Sequence, residues 1–332
     1  MGFPKPWPTE WPELPEPWED PDFDEFPEPD EIDETGDVPV DLPEYRRHFY
    51  SVTWAVNHAC NLRCTHCYDV VPYRRHDLDT AKALTVIDRL REAGVTFIAF
   101  SGGEAFLRKD LLQLMAHCKE KGMTFGARSN GTRITEMVAE RLAELGISVV
   151  GISFDGANPE THDAVRGAGA FTAAMRGLKA LRALGIRTQM EVVLSKQNAH
   201  EAIEFVELGE MVDASEVNFS TIAAQGRAKL RSKDLLDHKH WQSLVQTLSH
   251  ASKEATLPVT PNCAFYGPCY ANIEPHVTCD AWMTPCYLSP IKLFNVLEIP
   301  PVSIKDYLQQ QRPQYLDVCG RKAWLQPVEM AE

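Results

Sequence analysis

Glycine recurs at one kind of position in this chain, and that position limits the folds that the chain can adopt. Four amphipathic segments end in a glycine that is followed at once by an apolar run; these glycines are Gly94, Gly122, Gly146 and Gly185. Glycine at such a place supplies the left-handed cap that ends a helix. A helix that ends directly before a strand, several times over, is typical of βα units around a parallel sheet.

The apolar runs themselves predict six strands, at residues 51–57, 96–100, 124–128, 148–154, 187–194 and 216–222. Six strands are too few for a closed eight-stranded barrel, so the pattern predicts either an open barrel or a doubly wound sheet. In both architectures the ligand lies at the carboxyl ends of the strands. Beyond this region we predict a helix over residues 237–255. Residues 258–332 are too poor in periodicity to be another βα unit.

The 332-residue chain has a formal net charge of −14, and its acidic excess is confined to one segment. Residues 1–44 hold 16 acidic side chains, one basic side chain and 11 of the 23 prolines, whereas the remainder is nearly neutral. Proline at this density prevents helices and central strands, and like charges extend the chain further. We therefore predict a disordered acidic arm, whose Trp7, Trp11 and Trp18 are either anchors on a protein surface or part of a solvated leader.

Composition also excludes several classes of protein. The near-neutral remainder argues against nucleic-acid binding through a positive field. The sequence shows neither an apolar run of about 18 residues nor a basic region followed by an apolar stretch, so we expect a cytoplasmic protein without a membrane span. In such a compartment the nine cysteines predict metal or redox chemistry rather than a disulfide framework.

Three of these cysteines, Cys60, Cys64 and Cys67, lie within eight residues of one another, directly after the first predicted strand. Thiolate sulfur is a ligand that iron–sulfur clusters and zinc both accept. A structural zinc site normally takes four ligands from paired Cys-x2-Cys hooks, whereas this loop offers three. Three thiolates leave a metal with an open position, which a catalytic site requires. His66 is a weaker candidate for a fourth ligand, because it lies within the same tight loop.

With this spacing and strand count, the chain resembles the radical S-adenosylmethionine (SAM) superfamily, whose hallmark is C-x3-C-x2-C after the first strand of a partial barrel. The resemblance implies an α/β fold, a partial (β/α)6 TIM-like barrel. It also implies a [4Fe–4S] cluster on Cys60, Cys64 and Cys67, with S-adenosyl-L-methionine on the fourth iron. Reduction by a protein such as flavodoxin or ferredoxin would cleave this cofactor to a 5′-deoxyadenosyl radical, which abstracts a substrate hydrogen.

Further motifs match the superfamily in order. The resemblance assigns cofactor binding to six residues at predicted strand ends: Gly102, Gly103, Glu104, Asn130, Ser153 and Asp155. The first three form a Gly-Gly-Glu motif that meets the methionine amino group, and Ala105 stands where the superfamily usually has proline. Asn130 and Ser153–Asp155 resemble ribose-contacting and Ser-x-Asp-Gly elements, although Asn-Gly and Asp-Gly are also ordinary turn dipeptides. Gly226-Arg227 is similar to an element of one branch, and a surface arginine is an equal alternative.

That branch carries a C-terminal SPASM/twitch extension with auxiliary clusters. Here five cysteines lie in the last quarter of the chain: Cys263, Cys269, Cys279, Cys286 and Cys319. The resemblance implies one auxiliary [4Fe–4S] cluster, with Cys263, Cys269, Cys286 and Cys319 as preferred ligands and the choice between Cys263 and Cys279 open. Cys118 falls on the apolar face of its helix and is predicted to be a core residue. The predicted domains are an arm over 1–44, a barrel over 45–228 and a small irregular iron–sulfur extension over 229–332.

Three functions remain open from the sequence. The first is a radical SAM enzyme that modifies a ribosomally made peptide or another natural-product precursor. The second is a radical SAM enzyme that modifies tetrapyrrole side chains. The third is a non-catalytic electron-transfer protein, which would not need the Gly102–Glu104 motif. The expected partners are a peptide or small-molecule substrate and a reductase, with neither nucleic acid nor membrane.

Overall fold

A parallel sheet forms the centre of the structure and brings the predicted motifs to one edge. The computed structural model describes residues 50–68, 76–223, 226–236, 238–261, 275–289 and 291–309. The predicted acidic arm lies outside these residues. The strands are β1 (Tyr50–Ala55), β2 (Val95–Ser101), β3 (Thr124–Ser129), β4 (Val149–Phe154), β5 (Thr188–Leu194), β6 (Glu216–Thr221), β7 (Val259–Pro261), β8 (His276–Val277), β9 (Trp282–Thr284) and β10 (Phe294–Asn295).

Helices alternate with these strands along the chain. They are α1 (Thr80–Glu92), α2 (Leu111–Glu120), α3 (Glu136–Leu145), α4 (Pro159–Arg166), α5 (Ala170–Ala183), α6 (Ala202–Met211), α7 (His238–Glu254) and α8 (Pro301–Gln309). The sheet order is β10-β9-β8-β1-β2-β3-β4-β5-β6-β7, and β1 to β6 are parallel neighbours in sequence order. This is the α/β architecture of a partial TIM-like barrel, as the sequence predicted.

The six predicted strands are confirmed, each within two residues of its predicted bounds. All four predicted helix-ending glycines have positive φ angles, between 70° and 96°. Gly146 is representative, because its N–H donates to the carbonyls of Leu142 and Ala143 and so closes α3 before β4 begins. The local sequence therefore determined where each helix stops.

Residues 258–332, which the sequence did not assign to the βα alternation, nevertheless contribute a strand to its sheet. After α7, β7 pairs in parallel with β6. The sequence did not reveal this strand because it is three residues long and ends in Pro261. At the other edge of the sheet β8 pairs in parallel with β1, and β9 and β10 follow antiparallel. The segment after residue 229 thus joins the sheet of the barrel, and the predicted boundary at residue 228 stays a prediction.

The two faces of the sheet differ in polarity. On β4, Val150, Ile152 and Phe154 are fully buried in the cluster that the helices cover. Because side chains alternate along a strand, Ser153 faces the opposite, concave side. The concave side carries polar groups, including a pair formed by Arg128 and Glu191 at 3.7 Å. An apolar exterior covered by helices and a polar interior are suited to binding a polar ligand inside the barrel.

No helix among the described residues is long and apolar enough to cross a membrane.

Candidate functional site

The three cysteines of the predicted metal loop lie directly after β1, at the carboxyl edge of the sheet. Cys60 is exposed, Cys67 is half-buried and Cys64 is buried, and all three are thiols. The Cys67 N–H donates to the Cys64 carbonyl at 3.3 Å and so closes the turn between them. The three cysteines of the loop therefore differ in burial, with Cys60 nearest the solvent and Cys64 in the interior.

Arg227, which follows β6 in the chain, fixes this loop by hydrogen bonds to its backbone. Its backbone N–H donates to the Cys67 carbonyl at 2.9 Å, and its Nε donates to the Cys64 carbonyl at 2.7 Å. A Cβ on Gly226 would lie 2.4 Å from the Cys67 carbonyl oxygen, so the close approach requires glycine. The Gly226-Arg227 element, which the sequence could not distinguish from a surface arginine, thus clamps the cysteine loop.

The electrostatic surroundings of the loop bear on how it takes up metal. Burial raises the pKa of Cys60, and it raises the pKa of Cys64 to about 11, although the Arg166 guanidinium opposes the shift. The Leu62 N–H points at the Cys60 sulfur, with 3.4 Å between nitrogen and sulfur. Both thiols are therefore protonated near neutral pH until a metal displaces their protons.

The spacing of the sulfur atoms distinguishes a cluster from a single ion. A tetrahedral zinc ion with Zn–S bonds of about 2.3 Å holds its sulfur ligands roughly 3.8 Å apart. Among the described residues, one group of three Cys, His or carboxylate ligand atoms lies within 4.8 Å of one another, and these cysteines do not form it. The three sulfur atoms therefore do not all lie within 4.8 Å of one another, and an iron–sulfur cluster, which spans several metal ions, accommodates such a spacing.

The Gly-Gly-Glu motif after β2 packs against the segment that leads into the cysteine loop. A Cβ on Gly102 would lie 2.6 Å from the Asn57 carbonyl oxygen, and one on Gly103 would lie 2.5 Å from that of Ala59. The Glu104 N–H donates to the Ala59 carbonyl at 2.8 Å, and the Asn57 amide donates to the Glu104 carbonyl at 2.8 Å. These glycines therefore allow the end of β2 to lie close to the protein's own backbone at Asn57 and Ala59.

We expect Gly103→Ala to disturb the cysteine loop. Its Cβ would meet the carbonyl oxygens of His58 and Ala59 at 2.6 and 2.5 Å, and overpacking of this kind costs about 1–3 kcal/mol. Thermal denaturation should show a lowered Tm, and metal analysis after anaerobic reconstitution should show reduced iron. Gly122→Ala is the control, because its Cβ would meet no atom within 4 Å although φ is +70°. That variant should lose stability without losing iron; equal iron in both variants would contradict the expectation.

Glu104 is the buried centre of the contacts between the ends of β2 and β3. Its carboxylate accepts hydrogen bonds from the Ser129 hydroxyl at 2.8 Å, the Asn130 N–H at 2.8 Å and the Phe106 N–H at 3.1 Å. Burial raises the pKa of Glu104, and these three donors oppose the rise. The carboxylate is thus held in place by its own chain before any ligand binds.

Asn130 connects this centre to the cysteine loop. Its amide nitrogen donates to the Asn61 side chain at 3.1 Å and lies 4.0 Å from the Cys60 sulfur. Its amide oxygen accepts from the N–H of Thr132 at 3.0 Å. Asn130 is 7% exposed, and its assignment to cofactor binding stays a prediction.

Asp155 lies at the end of β4 as predicted, but its side chain is engaged by the protein. Its Oδ2 accepts from Arg166 Nε and lies 2.8 Å from His66 Nε2, and its Oδ1 accepts from the Val193 N–H at 3.4 Å. Although burial opposes ionisation, Arg166 and His66 hold the pKa of Asp155 well below its usual range. Asp155, at the end of β4, thus connects the cysteine loop through His66 with α4 through Arg166.

Two histidines, His66 and His162, lie near this ion pair and form hydrogen bonds with Asp155. His66 Nε2 is bound to Asp155, which disfavours His66 as a fourth metal ligand. Burial, together with Arg166, lowers the pKa of His162 to about 4, so its ring is neutral and its Nδ1 accepts from the Asp155 N–H at 3.3 Å. The sequence alone did not reveal the ion pair between Asp155 and Arg166.

The remaining predicted site residues are only partly described. Ser153 is half-buried on the concave face of the sheet. Of the preferred auxiliary ligands, Cys286 is described and half-buried, whereas Cys263, Cys269 and Cys319 lie outside the described residues. Cys118 is fully buried on α2, which confirms it as a core residue.

Comparison with known proteins agrees with this geometry. Residues 54–209 match the family model of the Radical SAM superfamily, and this range spans β1 to α6 with the cysteine loop. This segment is similar to the radical SAM superfamily. The matched segment contains the cysteine loop, the Gly102–Glu104 motif and the polar strand ends described above.

Several curated proteins are similar to this chain. An Fe-coproporphyrin III synthase of Methanosarcina barkeri is 38% identical over 188 residues, which are 55% of this chain and 47% of the relative. An AdoMet-dependent heme synthase of Nitratidesulfovibrio vulgaris is 31% identical and covers 64% of this chain and 59% of its own length. The mycofactocin maturase MftC of Mycobacterium tuberculosis is 33% identical, with coverages of 54% and 48%. The chain therefore matches about half to three fifths of these relatives.

Solved structures share the fold of this chain. Streptococcus suis SuiB bound to precursor peptide SuiA has a TM-score of 0.66 at 18% identity, covering 81% of this chain and 66% of SuiB. AnSMEcpe with bound AdoMet has a TM-score of 0.64 at 17% identity, with coverages of 79% and 82%. At such identities the likeness concerns the fold alone.

Proposed function

We propose that this chain is a radical SAM enzyme that acts on a ribosomally made peptide or another natural-product precursor. In this proposal Cys60, Cys64 and Cys67 hold a [4Fe–4S] cluster to which S-adenosylmethionine binds. When bound, the two supply a 5′-deoxyadenosyl radical that removes a hydrogen atom from the substrate. The observation that carries the proposal is the loop of three thiols at graded depth within a segment that matches the radical SAM family.

The protein's own contribution is to position these groups. The Arg227 clamp keeps the carbonyls of Cys64 and Cys67 fixed, and the Leu62 N–H offers a donor to the Cys60 sulfur. Hydrogen bonds and positive charge at cluster ligands are among the factors that set reduction potential. The same contacts should therefore influence how easily the cluster is reduced by a partner such as flavodoxin or ferredoxin.

For the cofactor, we propose that Gly102, Gly103 and Glu104 receive the methionine amino group, and that Asn130 and Ser153 contact the ribose. The buried position of Glu104 and Asn130 beside Cys60 supports these assignments. Asp155 was assigned to the same set. Because the charge of Asp155 is already paired with Arg166, whereas Glu104 accepts only from neutral donors, we propose that Asp155 acts by holding His66 and the loop.

We further propose an auxiliary [4Fe–4S] cluster in a SPASM/twitch-like extension, on Cys263, Cys269, Cys286 and Cys319. The clustering of cysteines in the last quarter of the sequence supports it. In peptide oxidation such a cluster can accept an electron from the substrate radical. The extension would then accept electrons in addition to binding the substrate.

Two substrate classes are compatible with the relatives. The names MftC, a maturase, and SuiB, solved with a precursor peptide, support a peptide substrate. The relatives called Fe-coproporphyrin III synthase and heme synthase support a tetrapyrrole instead. Arg128 on the concave face does not decide between the two classes, because it already pairs with Glu191 at 3.7 Å.

The experiment that tests the enzyme is anaerobic reconstitution followed by dithionite and S-adenosylmethionine. We expect 5′-deoxyadenosine, detected by chromatography and mass spectrometry. Addition of a precursor-type peptide or of iron-coproporphyrin III should then accelerate its release, and the class that does so identifies the substrate. A fully iron-loaded protein that releases no 5′-deoxyadenosine would instead support the non-catalytic electron-transfer protein.

A further inference from the structure

The described residues bring a second set of metal-ligating side chains together, apart from the cysteine loop. An imidazole nitrogen of His58, a carboxylate oxygen of Asp77 and the Cys279 sulfur all lie within 4.8 Å of one another. The geometry points to a mononuclear metal site at these three residues, for a divalent ion of borderline softness such as Zn²⁺. Neither the proposed radical chemistry nor the proposed auxiliary cluster assigns a metal to His58 or Asp77.

The site is built from three segments that the fold holds rigidly. His58 follows β1, and its own N–H donates to Asp77 Oδ1 at 3.0 Å while its Nδ1 lies 2.6 Å from the same oxygen. Cys279 lies in the turn between β8 and β9. The Leu78 N–H donates to the Cys279 carbonyl at 3.2 Å, which attaches the Asp77 segment to that turn. Backbone contacts therefore preorganise the three side chains, as a metal site requires.

The turn that carries Cys279 is itself fixed. The Thr278 N–H donates to the Trp282 carbonyl at 2.9 Å, and the Thr278 hydroxyl accepts from the Trp282 N–H at 2.9 Å. Ala281 has a φ of 67°, a conformation that non-glycine residues rarely adopt. A turn held in this way keeps the Cys279 sulfur, 1% exposed, against the other two side chains.

The donor set selects the metal. One thiolate, one imidazole and one carboxylate suit zinc, which accepts sulfur, nitrogen and oxygen in a tetrahedral arrangement. The side chains of His58 and Asp77 are 45% and 32% exposed, so the site opens to solvent on one side. A cleft of about 250 Å³ adjoins it and is lined by Asn57, Ala59 and Asp77 among others. Three protein ligands and an open side leave a coordination position for water or a small ligand.

The proposal also bears on the auxiliary cluster. The sequence left open whether Cys263 or Cys279 is a ligand of that cluster. If Cys279 binds a separate ion with His58 and Asp77, the cluster takes Cys263. The two arrangements differ in which metal is lost when Cys279 is removed.

The test uses the full chain after anaerobic reconstitution to full iron content, so that iron–sulfur sites do not take up zinc. The protein is incubated with one equivalent of Zn²⁺, desalted, and analysed for zinc and iron by mass spectrometry. We expect about one zinc per chain, and we expect Cys279→Ala and Asp77→Asn to lose it with iron unchanged. Loss of a direct ligand should weaken affinity by more than the roughly 10–100-fold that loss of an outer partner costs. Cys118→Ala, a buried cysteine elsewhere, should keep the zinc.

Absorption at the zinc K-edge provides a readout that iron does not disturb. We expect one sulfur at about 2.3 Å and nitrogen or oxygen neighbours at about 2.0–2.2 Å. Two results would overturn the proposal: loss of about four irons in Cys279→Ala, which makes Cys279 a cluster ligand, or equal zinc in all variants. Because S-adenosylmethionine is absent from the assay, failure here is independent of failure of the proposed radical chemistry.

Discussion

Replacement of Cys60, Cys64 and Cys67 together by alanine is expected to abolish 5′-deoxyadenosine formation and to remove about four irons per chain. The physical reason is that these thiolates are the proposed ligands of one cluster, and no reduction of S-adenosylmethionine can occur without it. About four irons should remain on the auxiliary cluster. Iron analysis and a single-turnover assay with dithionite measure the two effects.

Cys118→Ala is the matched control for this variant. It removes a fully buried thiol of α2 that lies in the apolar core, so it should retain iron and activity. Residual 5′-deoxyadenosine formation in the triple variant would refute the assignment of the loop. Complete loss of iron would leave the loop assignment intact and would refute the auxiliary cluster.

The second large effect is expected from Asp155→Ala. This change leaves the guanidinium of Arg166, 8% exposed, without its carboxylate partner. Removal of one member of a buried ion pair typically costs about 3–5 kcal/mol, because the other charge remains desolvated. Chemical denaturation should show this loss in the free energy of unfolding. Iron content should fall as well, since His66 loses its anchor at 2.8 Å and the cysteine loop is released.

A double variant separates the cost of an unpaired charge from a general effect of mutation. Asp155→Ala combined with Arg166→Met removes both charges, and such replacements often restore stability. We therefore expect the double variant to be more stable than Asp155→Ala alone. Arg141→Ala breaks the exposed pair with Glu144 and should leave stability nearly unchanged. Equal stability of the single and double variants would show that the unpaired charge of Arg166 is not the cause of the loss.

The ion pair also predicts how stability depends on pH. The pKa of Asp155 is lower in the folded protein than the unfolded value of about 3.9, so the folded state favours the ionised form. The stabilisation is therefore complete above the unfolded pKa and disappears as the pH falls towards the folded value. The stability difference between wild type and Asp155→Ala should stay constant from neutral pH to about pH 4 and narrow below it.

Much of the fold could be predicted because the relevant signals are local. Helix-ending glycines and apolar runs determine where the six strands lie, and the structure matches them within two residues. The cysteine loop and the Gly102–Glu104 motif follow β1 and β2, at the strand ends where the sequence predicted them. These features depend on a few neighbouring residues, so a single sequence contains them.

The parts that could not be predicted depend on contacts between distant residues. Asp155 and Arg166 are separated by a turn and a helix, and the His-x3-Arg spacing of α4 alone does not reveal their pairing. His58, Asp77 and Cys279 come together only because β8 pairs with β1. The strand β7 is too short to show a period, and its assignment needs the neighbouring β6.

The pairing of β8 with β1 has a consequence for synthesis. Trp54 pairs with Val277, so one edge of the first strand waits for a partner that the ribosome makes some 220 residues later. At about 5–20 residues per second this interval is about 10–45 s. During that time the nascent chain displays an unpaired strand edge, a surface on which other chains can add. We therefore expect the nascent chain to be most prone to association with other chains until its last quarter has been synthesised.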